Sequence, residues 1–81
     1  MEVKVHFYSY FKDLTGCSDL TQPIRPDQTL GELLDDLSRR FPKLGAMRKS
    51  ILAAVGVDYQ TRDYKLKPGD QVSLFPPVQG G

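Results

Sequence analysis

The side chains that carry most enzyme chemistry are scarce in this 81-residue chain. The chain contains one histidine, His6, and one cysteine, Cys17. It therefore has almost no residues from which a metal site or a Cys-His nucleophile could be built. His6 could act as a base, but a single histidine on the polar side of a strand is more often a surface residue. Cys17 could be a reactive thiol, but no cluster of cations neighbours it in sequence to activate it. We therefore expect neither residue to form an active site, and no metal to be bound.

Basic residues form the next candidate site, because a cluster of cations can bind a phosphate or an acidic partner. The segment 39–49 contains Arg39, Arg40, Lys43, Arg48 and Lys49. Acidic residues flank much of this group, so a solvated helix end is the more frequent explanation. Gly16, Gly31, Gly45 and Gly56 are scattered singly, so no glycine-rich phosphate loop is expected. A net charge of +1 gives no reason to expect nucleic acid or an anionic membrane as partner.

The remaining reactive group is the carboxylate of Gly81, at the end of the segment "FPPVQGG", residues 75–81. Pro76 and Pro77 fix φ and favour a stiff, extended exit from the preceding strand. Gly80 and Gly81 have no side chains, so this tip can enter a narrow slot in another protein. From Pro76 onward the tail can reach about 20 Å. We expect a domain at 1–75 and an extended tail at 76–81, although a frayed end is the alternative.

Two strands are predicted ahead of the main helix. Alternation in the first strand places Val3, Val5, Phe7 and Ser9 on one face and Lys4, His6, Tyr8 and Tyr10 on the other. Residues 12–19 are predicted to form a turn, and residues 20–25 a second strand. Pro23 lacks a backbone donor, so this second strand belongs at a sheet edge.

The helix is the clearest element in the sequence. Thr29 and Glu32 form a T-x-x-E capping box at its start, and Pro42 ends it. A single apolar stripe follows from Leu30, Leu33, Leu34, Leu37 and Phe41. On the solvent-exposed face of the helix, the i,i+4 spacing predicts ion pairs between Asp35 and Arg39 and between Asp36 and Arg40. Such a short helix is marginal alone in water, so its stripe must pack on the strands.

The second half of the chain supplies the rest of the sheet. The apolar run at 50–60 predicts a strand buried in the middle, and Pro68–Gly69 predicts a type II turn. In the last strand, 71–75, Val72 and Leu74 point inward and Phe75 outward. This order is that of an α+β, ubiquitin-like β-grasp domain, a mixed four- to five-stranded sheet with one main helix on one face. His6, Tyr8 and Phe75 should then lie on the opposite, outer face.

The ending "FPPVQGG" after "LKPGDQVSL", with "TLGELLDDL" and "ILAAVGVDY" before it, resembles the MoaD/ThiS family of ubiquitin-like sulfur carriers, most closely its molybdopterin synthase branch. The resemblance implies that an E1-like enzyme adenylates Gly81 with ATP and that a persulfide donor converts it to a thiocarboxylate. The sulfur would then pass to a pterin precursor within the large subunit of molybdopterin synthase. It implies a carrier that binds no cofactor of its own and leaves catalysis to its partners. The single cysteine, Cys17, can form no intramolecular disulfide, which fits the cytoplasmic location that we expect.

The resemblance also assigns roles to residues. Gly80 and Gly81 would form the reactive tip, and the partner-binding residues would be Tyr8, Lys12, Tyr59, Phe75, Pro76, Pro77 and Val78. Gly56 departs from the family, whose members often have asparagine there. Three alternatives remain open: a sulfur carrier for thiamin or tRNA thiolation, a protein modifier conjugated to lysine through Gly81, and a binding module with an incidental tail.

Overall fold

A computed structural model describes residues 1–77 of the chain, so Val78, Gly80 and Gly81 lie outside the described residues. Five strands form one sheet: β1 (Glu2–Phe7), β2 (Asp19–Pro23), β3 (Leu52–Val55), β4 (Asp58–Tyr59) and β5 (Gln71–Phe75). Three helices complete the described fold: the short α1 (Phe11–Thr15), the main helix α2 (Leu30–Arg40) and the short α3 (Pro42–Gly45), with a 3₁₀ turn at Arg48–Ser50.

The strand order is β2-β1-β5-β3-β4, and only the central pair β1 and β5 is parallel. A parallel pair needs a crossover between its strands, and α2 lies in that crossover. This arrangement is the ubiquitin-like β-grasp that the sequence predicted. Pro23 sits on β2 at the sheet edge, where its missing N–H breaks no ladder, as predicted.

The core lies between α2 and one face of the sheet. The helix stripe of Leu30, Leu33, Leu34 and Leu37 is fully buried, and so are the inward residues of the central strands, Val3, Val5, Phe7, Val72 and Leu74. Phe41, at the end of the stripe, packs edge-to-face on Phe7 with ring centroids 6.0 Å apart. The amphipathic patterns of helix and strands therefore meet as the sequence predicted.

The capping box at the start of α2 is confirmed in both directions. The Thr29 hydroxyl accepts a hydrogen bond from the Glu32 amide at 3.2 Å, and Glu32 Oε1 accepts one from the Thr29 amide at 2.9 Å. The helix ends at Arg40, with Phe41 as its C-cap, because Pro42 follows. Pro42 also occupies the first position of α3, where a missing N–H costs nothing.

The turn predicted at 12–19 is confirmed only at residues 16–18, because residues 11–15 form α1 and β2 begins at Asp19. Ser9 adopts a left-handed φ of 57°, which ends the strand geometry before Ser9 and reverses the chain. Phe11 then inserts into the core with no exposed surface, which gives this short helix an apolar anchor. Gly16, with φ of 78°, ends it.

The single strand predicted at 50–60 is also wrong. The run folds into a β3–β4 hairpin whose two-residue loop is Gly56 and Val57, with Val55 paired to Asp58. Gly56 has φ of 64°, which glycine adopts without a steric penalty. The hairpin lies at the side of the sheet, so β5 is the central strand. A continuous apolar run does not reveal a turn that relies on one glycine.

Both ion pairs predicted on α2 are wrong as well. Asp35 pairs with Arg48 from the 3₁₀ turn, while Asp36 pairs with Arg39 and Arg25. Buried Gln28 donates a hydrogen bond to Asp36 at 2.8 Å, which orients that carboxylate toward the start of the helix. Arg48, from outside the helix, thus replaces the i,i+4 partner of Asp35, while Arg25 and the i,i+3 neighbour Arg39 replace that of Asp36. An i,i+4 pair stabilises a helix by only about 0.2–0.5 kcal/mol, so such competition is easily won.

Candidate functional site

Three aromatic side chains form a cluster on the outer face of the sheet, where β5 ends and the tail begins. The Tyr8 and Phe75 rings stack with centroids 4.7 Å apart and an interplanar angle of 14°. The Tyr59 ring lies on the other side of Phe75, with centroids 6.2 Å apart and a tilt of 57°. We call Tyr8, Tyr59 and Phe75 the aromatic cluster.

Strand register brings these three rings together from distant parts of the chain. The Tyr8 amide donates to the Leu74 carbonyl at 3.1 Å, which extends the β1–β5 pairing by one residue and places Tyr8 beside Phe75. Leu52 of β3 lies opposite Phe75, and Ala54 lies opposite Tyr59. Opposed residues of an antiparallel pair share a face, so Leu52 and Ala54 belong to the same outer surface.

The aromatic cluster is both packed and exposed. Phe75 is half-buried between its neighbours, whereas 44% of Tyr8 and 69% of Tyr59 is exposed to solvent. The predicted placement of Tyr8 and Phe75 on one outer face is confirmed. Grouped exposed aromatics are typical of protein interfaces, where rigid rings supply much of the binding energy. Their role as a partner surface stays a prediction.

The other described residues that we expect to contact a partner are Pro76, Pro77 and Lys12. Pro76 and Pro77 are half-exposed and follow Phe75 directly, and exposed Lys12 lies on α1, four residues beyond Tyr8. Sequence analysis missed Leu52, which is 36% exposed beside Phe75, and Val57, which is 97% exposed in the β3–β4 loop. Only the strand register could have identified them, because residues 50–60 read as a single buried strand.

The remaining outer face is polar. His6 Nε2 lies 2.8 Å from Gln71 Oε1, and its neighbours in register are Asp19 on β2 and Ser73 on β5. His6 is thus a surface residue whose ring is hydrogen-bonded to Gln71, and among the described residues no hydrogen bond joins it to the Ser73 hydroxyl. Within residues 1–77, no three His, Cys, Asp or Glu side chains form a group that could hold a metal ion. Cys17 is half-buried against the core, and its thiol lies 3.8 Å from the Thr15 hydroxyl.

Most of the basic group has structural roles. Arg39 and Arg48 pair with Asp36 and Asp35, and Arg48 also donates to the Gly31 carbonyl at 3.1 Å. Arg40 donates to Gln22 at 3.0 Å and lies 5.2 Å over the Phe41 ring. Lys43 and Lys49 are exposed. Arg40 and Arg48 therefore connect α2 to its neighbours, while Arg39 pairs within the helix.

Two groups have perturbed pKa values, and both lie away from the aromatic cluster. Desolvation, followed by the nearby charge of Arg48, lowers the pKa of Arg62; its guanidinium donates to the Ile51 carbonyl at 2.8 Å. Desolvation, followed by a hydrogen bond to Asp70 and the charge of that carboxylate, raises the pKa of Tyr64. Both shifts arise from contacts that hold the loop between β4 and β5.

The described part of the chain therefore presents an exposed aromatic cluster at the root of the tail. Through residue 77, no helix is both long and apolar enough to cross a membrane.

Comparison with known proteins agrees with this geometry. The chain is 31% identical over 81 residues to the molybdopterin synthase sulfur carrier subunit of Arabidopsis thaliana, covering 100% of this chain and 84% of that protein. It is 27% identical over 92 residues to small archaeal modifier protein 3 of Haloferax volcanii, with all of both chains covered.

Solved structures resemble the fold over nearly the whole chain. One is the crystal structure of small archaeal modifier protein 1 from Haloferax volcanii, with a TM-score of 0.86, 20% identity, and 95% of this chain and 98% of that chain covered. Another is the complex of subunits 1 and 2 of the molybdopterin-converting factor from Helicobacter pylori, with a TM-score of 0.72, 26% identity and full coverage of both chains. The sequence pattern of the ThiS family matches residues 5–81, and the chain belongs to that family.

Proposed function

We propose that this protein is the sulfur carrier subunit of a molybdopterin synthase. The observation that carries the proposal is the aromatic cluster at the root of a tail that ends in Gly80 and Gly81. The described domain offers a surface for docking but no side-chain active site. The family match extends through Gly81, and relatives named as molybdopterin synthase sulfur carrier subunits support this choice.

The chemistry starts at the carboxylate of Gly81, which is a poor electrophile while ionised. A carboxylate oxygen attacks the α-phosphorus of ATP in an E1-like enzyme; pyrophosphate leaves, and the product is an acyl adenylate. The outer sulfur of a donor persulfide then attacks the acyl carbon, and AMP leaves. A second thiol breaks the resulting acyl disulfide and is itself oxidised to a disulfide. Gly81 now carries a thiocarboxylate.

Sulfur transfer takes place in the large subunit of the synthase, which supplies the catalytic side chains. The thiocarboxylate sulfur attacks a carbon of the pterin precursor and displaces an oxygen substituent, which leaves with a proton. Water then cleaves the acyl–sulfur bond, which leaves the sulfur on the precursor and restores the Gly81 carboxylate. Each loaded chain delivers one sulfur, so a dithiolene needs two of them. Pro76, Pro77 and Val78 act as the stiff spacer, because proline disfavours collapse of the tail onto the domain.

Docking to the large subunit rests on Tyr8, Tyr59 and Phe75, with Lys12 as a charged contact at the rim. The cluster is already assembled in the described chain, since Phe75 packs between the two tyrosines. Side chains that are ordered before binding lose less conformational entropy in the complex. We expect the reaction in the cytoplasm. The chain has a single cysteine and can form no disulfide within itself, so its fold does not depend on an oxidising compartment.

Mass spectrometry tests the proposal directly. Incubation with ATP, an E1-like enzyme and a persulfide donor should raise the intact mass by the difference between a sulfur and an oxygen atom. Deletion of Gly81 should abolish the gain. A chain lengthened by one alanine after Gly81 is the matched control, since it keeps every side chain but moves the carboxylate off glycine. An unchanged mass, in a mixture that loads another carrier, refutes the proposal.

A second candidate function is conjugation to proteins, which the similarity to small archaeal modifier proteins favours. In that case a lysine amine attacks the Gly81 acyl adenylate, AMP leaves and an isopeptide bond forms. Proteolysis of cellular protein would then yield lysines bearing a Gly-Gly remnant. Sulfur loading without such remnants supports the carrier alone.

A further inference from the structure

The β3–β4 hairpin loop presents an apolar side chain where its turn favours a polar one. Gly56 and Val57 are the two loop residues, and of these only Gly56 has a positive φ, as in a type II′ turn. The second position of such turns is commonly Asn, Ser or Asp, which suit solvent and hydrogen-bond locally. Val57 instead is a β-branched apolar residue with 97% of its surface exposed. Val57 breaks the preference for a polar residue at this turn position, and it is too exposed to stabilise the fold by packing. Such a departure is typical of a functional residue.

Val57 also lies close to the aromatic cluster, because it is two residues before Tyr59, in the turn that leads into β4. The outer face is divided near the end of β5. Phe75, Leu52, Ala54 and Tyr59 lie together at that end and on the hairpin, whereas β1, β2 and the start of β5 present mainly polar residues, including Lys4, His6, Asp19, Thr21, Gln71 and Ser73.

We infer that Val57 is a second docking point, which binds an apolar depression on the same large subunit that receives the tail. This inference rests on the proposed function. Val55 lies three residues along β3 from Leu52, so the hairpin loop is at least about 10 Å from the root of the tail. One anchor at Phe75 leaves the domain free to rotate about it, whereas two anchors fix the direction in which the tail enters. Val57 is thus a positioning residue.

The chemistry of the occupant follows from the residues around Val57. Asp58 is exposed beside it, and within residues 1–77 no cation lies within salt-bridge distance of that carboxylate. The partner surface should therefore combine an apolar depression for Val57 with a cationic group opposite Asp58. Complementary charges at a rim mainly raise the association rate, while the buried apolar contact lowers the dissociation rate.

Binding of the purified large subunit to the full chain tests the inference. Val57→Ser should weaken Kd about tenfold, the change expected when a valine side chain loses its burial in the complex. Val57→Ile should keep the wild-type Kd, because isoleucine keeps the apolar contact. Thr21→Ser is the matched control: it also replaces a β-branched residue by serine on the outer face, but on the polar side, and should leave Kd unchanged. The thermal midpoint of free Val57→Ser should not fall, because serine suits this turn position at least as well as valine does.

The outcomes separate this inference from the proposed function. If Val57→Ser binds the large subunit with the same Kd as the wild type, the second docking point is overturned, while the sulfur carrier proposal stands. Equal weakening by Val57→Ser and Thr21→Ser also overturns it, because the effect is then not confined to the apolar side. Failure of the wild-type chain to bind the large subunit, together with failure to load sulfur, overturns both.

Discussion

The stack of Tyr8 on Phe75 should be measurable in the free protein as a coupling energy. We consider Tyr8→Ala, Phe75→Ala and the double variant. The two rings lie 4.7 Å apart at 14°, and Tyr59 contacts the far side of Phe75 at 6.2 Å. If this cluster is assembled before any partner binds, removing one ring changes the energetic cost of removing the other.

The magnitude follows from burial and stacking. Replacing a fully buried phenylalanine by alanine costs about 3–5 kcal/mol of unfolding free energy. Phe75 is half-buried, so we expect a loss of about 2 kcal/mol, which is roughly half of that range. Stacked aromatic pairs contribute about 0.5–1.5 kcal/mol beyond the area they bury. The Tyr8–Phe75 coupling should therefore be about 1 kcal/mol.

Urea unfolding of the four proteins in this double-mutant cycle gives the coupling energy. Tyr10 provides the control cycle with Phe75, because 39% of Tyr10 is exposed, close to the 44% of Tyr8. Its ring packs on Phe11 at 5.4 Å, and no aromatic contact joins it to Phe75 in the described residues. Tyr10→Ala and Phe75→Ala should be additive within about 0.5 kcal/mol.

A Tyr8–Phe75 coupling no larger than that of the control pair would refute the reasoning. The rings would then not be packed in the free chain, and the cluster would form only when a partner orders it. The argument that docking loses little side-chain entropy would fail with it.

Two further predictions concern the framework that holds the site. Thr29→Ala should lower the unfolding free energy by about 1 kcal/mol. Thr29→Ser should leave it unchanged, because serine retains the hydroxyl oxygen that accepts a hydrogen bond from the Glu32 amide. Urea unfolding of both variants checks this, and equal losses in the two would contradict it. Burial and then the Asp70 hydrogen bond raise the pKa of Tyr64 above 10.0, so its stabilisation is complete below pH 10 and is lost as pH rises through the raised value. Unfolding free energies measured between about pH 8 and pH 11 should fall less in Tyr64→Phe than in the wild type, and identical profiles would contradict this assignment.

Local signals predicted the parts of the fold that depend on neighbours in sequence. The capping box of Thr29 and Glu32, the edge position of Pro23 and the Gly69 turn, with φ of 84°, all involve residues at most a few positions apart. The ion pairs of α2 failed because Asp35 pairs with a residue from beyond the helix, Arg48. The helix α1 was missed for a similar reason, since burial of Phe11 in the core stabilises it more than its own turn-like composition disfavours it.

From the sequence by itself we predicted the carboxylate of Gly81 as the reactive group, because one histidine and one cysteine are little material for a side-chain active site. That assignment stays a prediction. Alternation along β1 and β5 also determined that Tyr8 and Phe75 face away from the core, because the strand period of two is a property of the backbone.

Only the tertiary structure decided which residues join them. The apolar run at 50–60 looks the same whether it forms one strand or a hairpin, and a single glycine, Gly56, selects the hairpin. That choice carries Tyr59 back beside Ala54 and, through the Leu52–Phe75 pairing, onto the Phe75 ring. It also exposes Val57. Register between strands depends on hydrogen bonds and packing across the whole sheet, so no short stretch of sequence contains it.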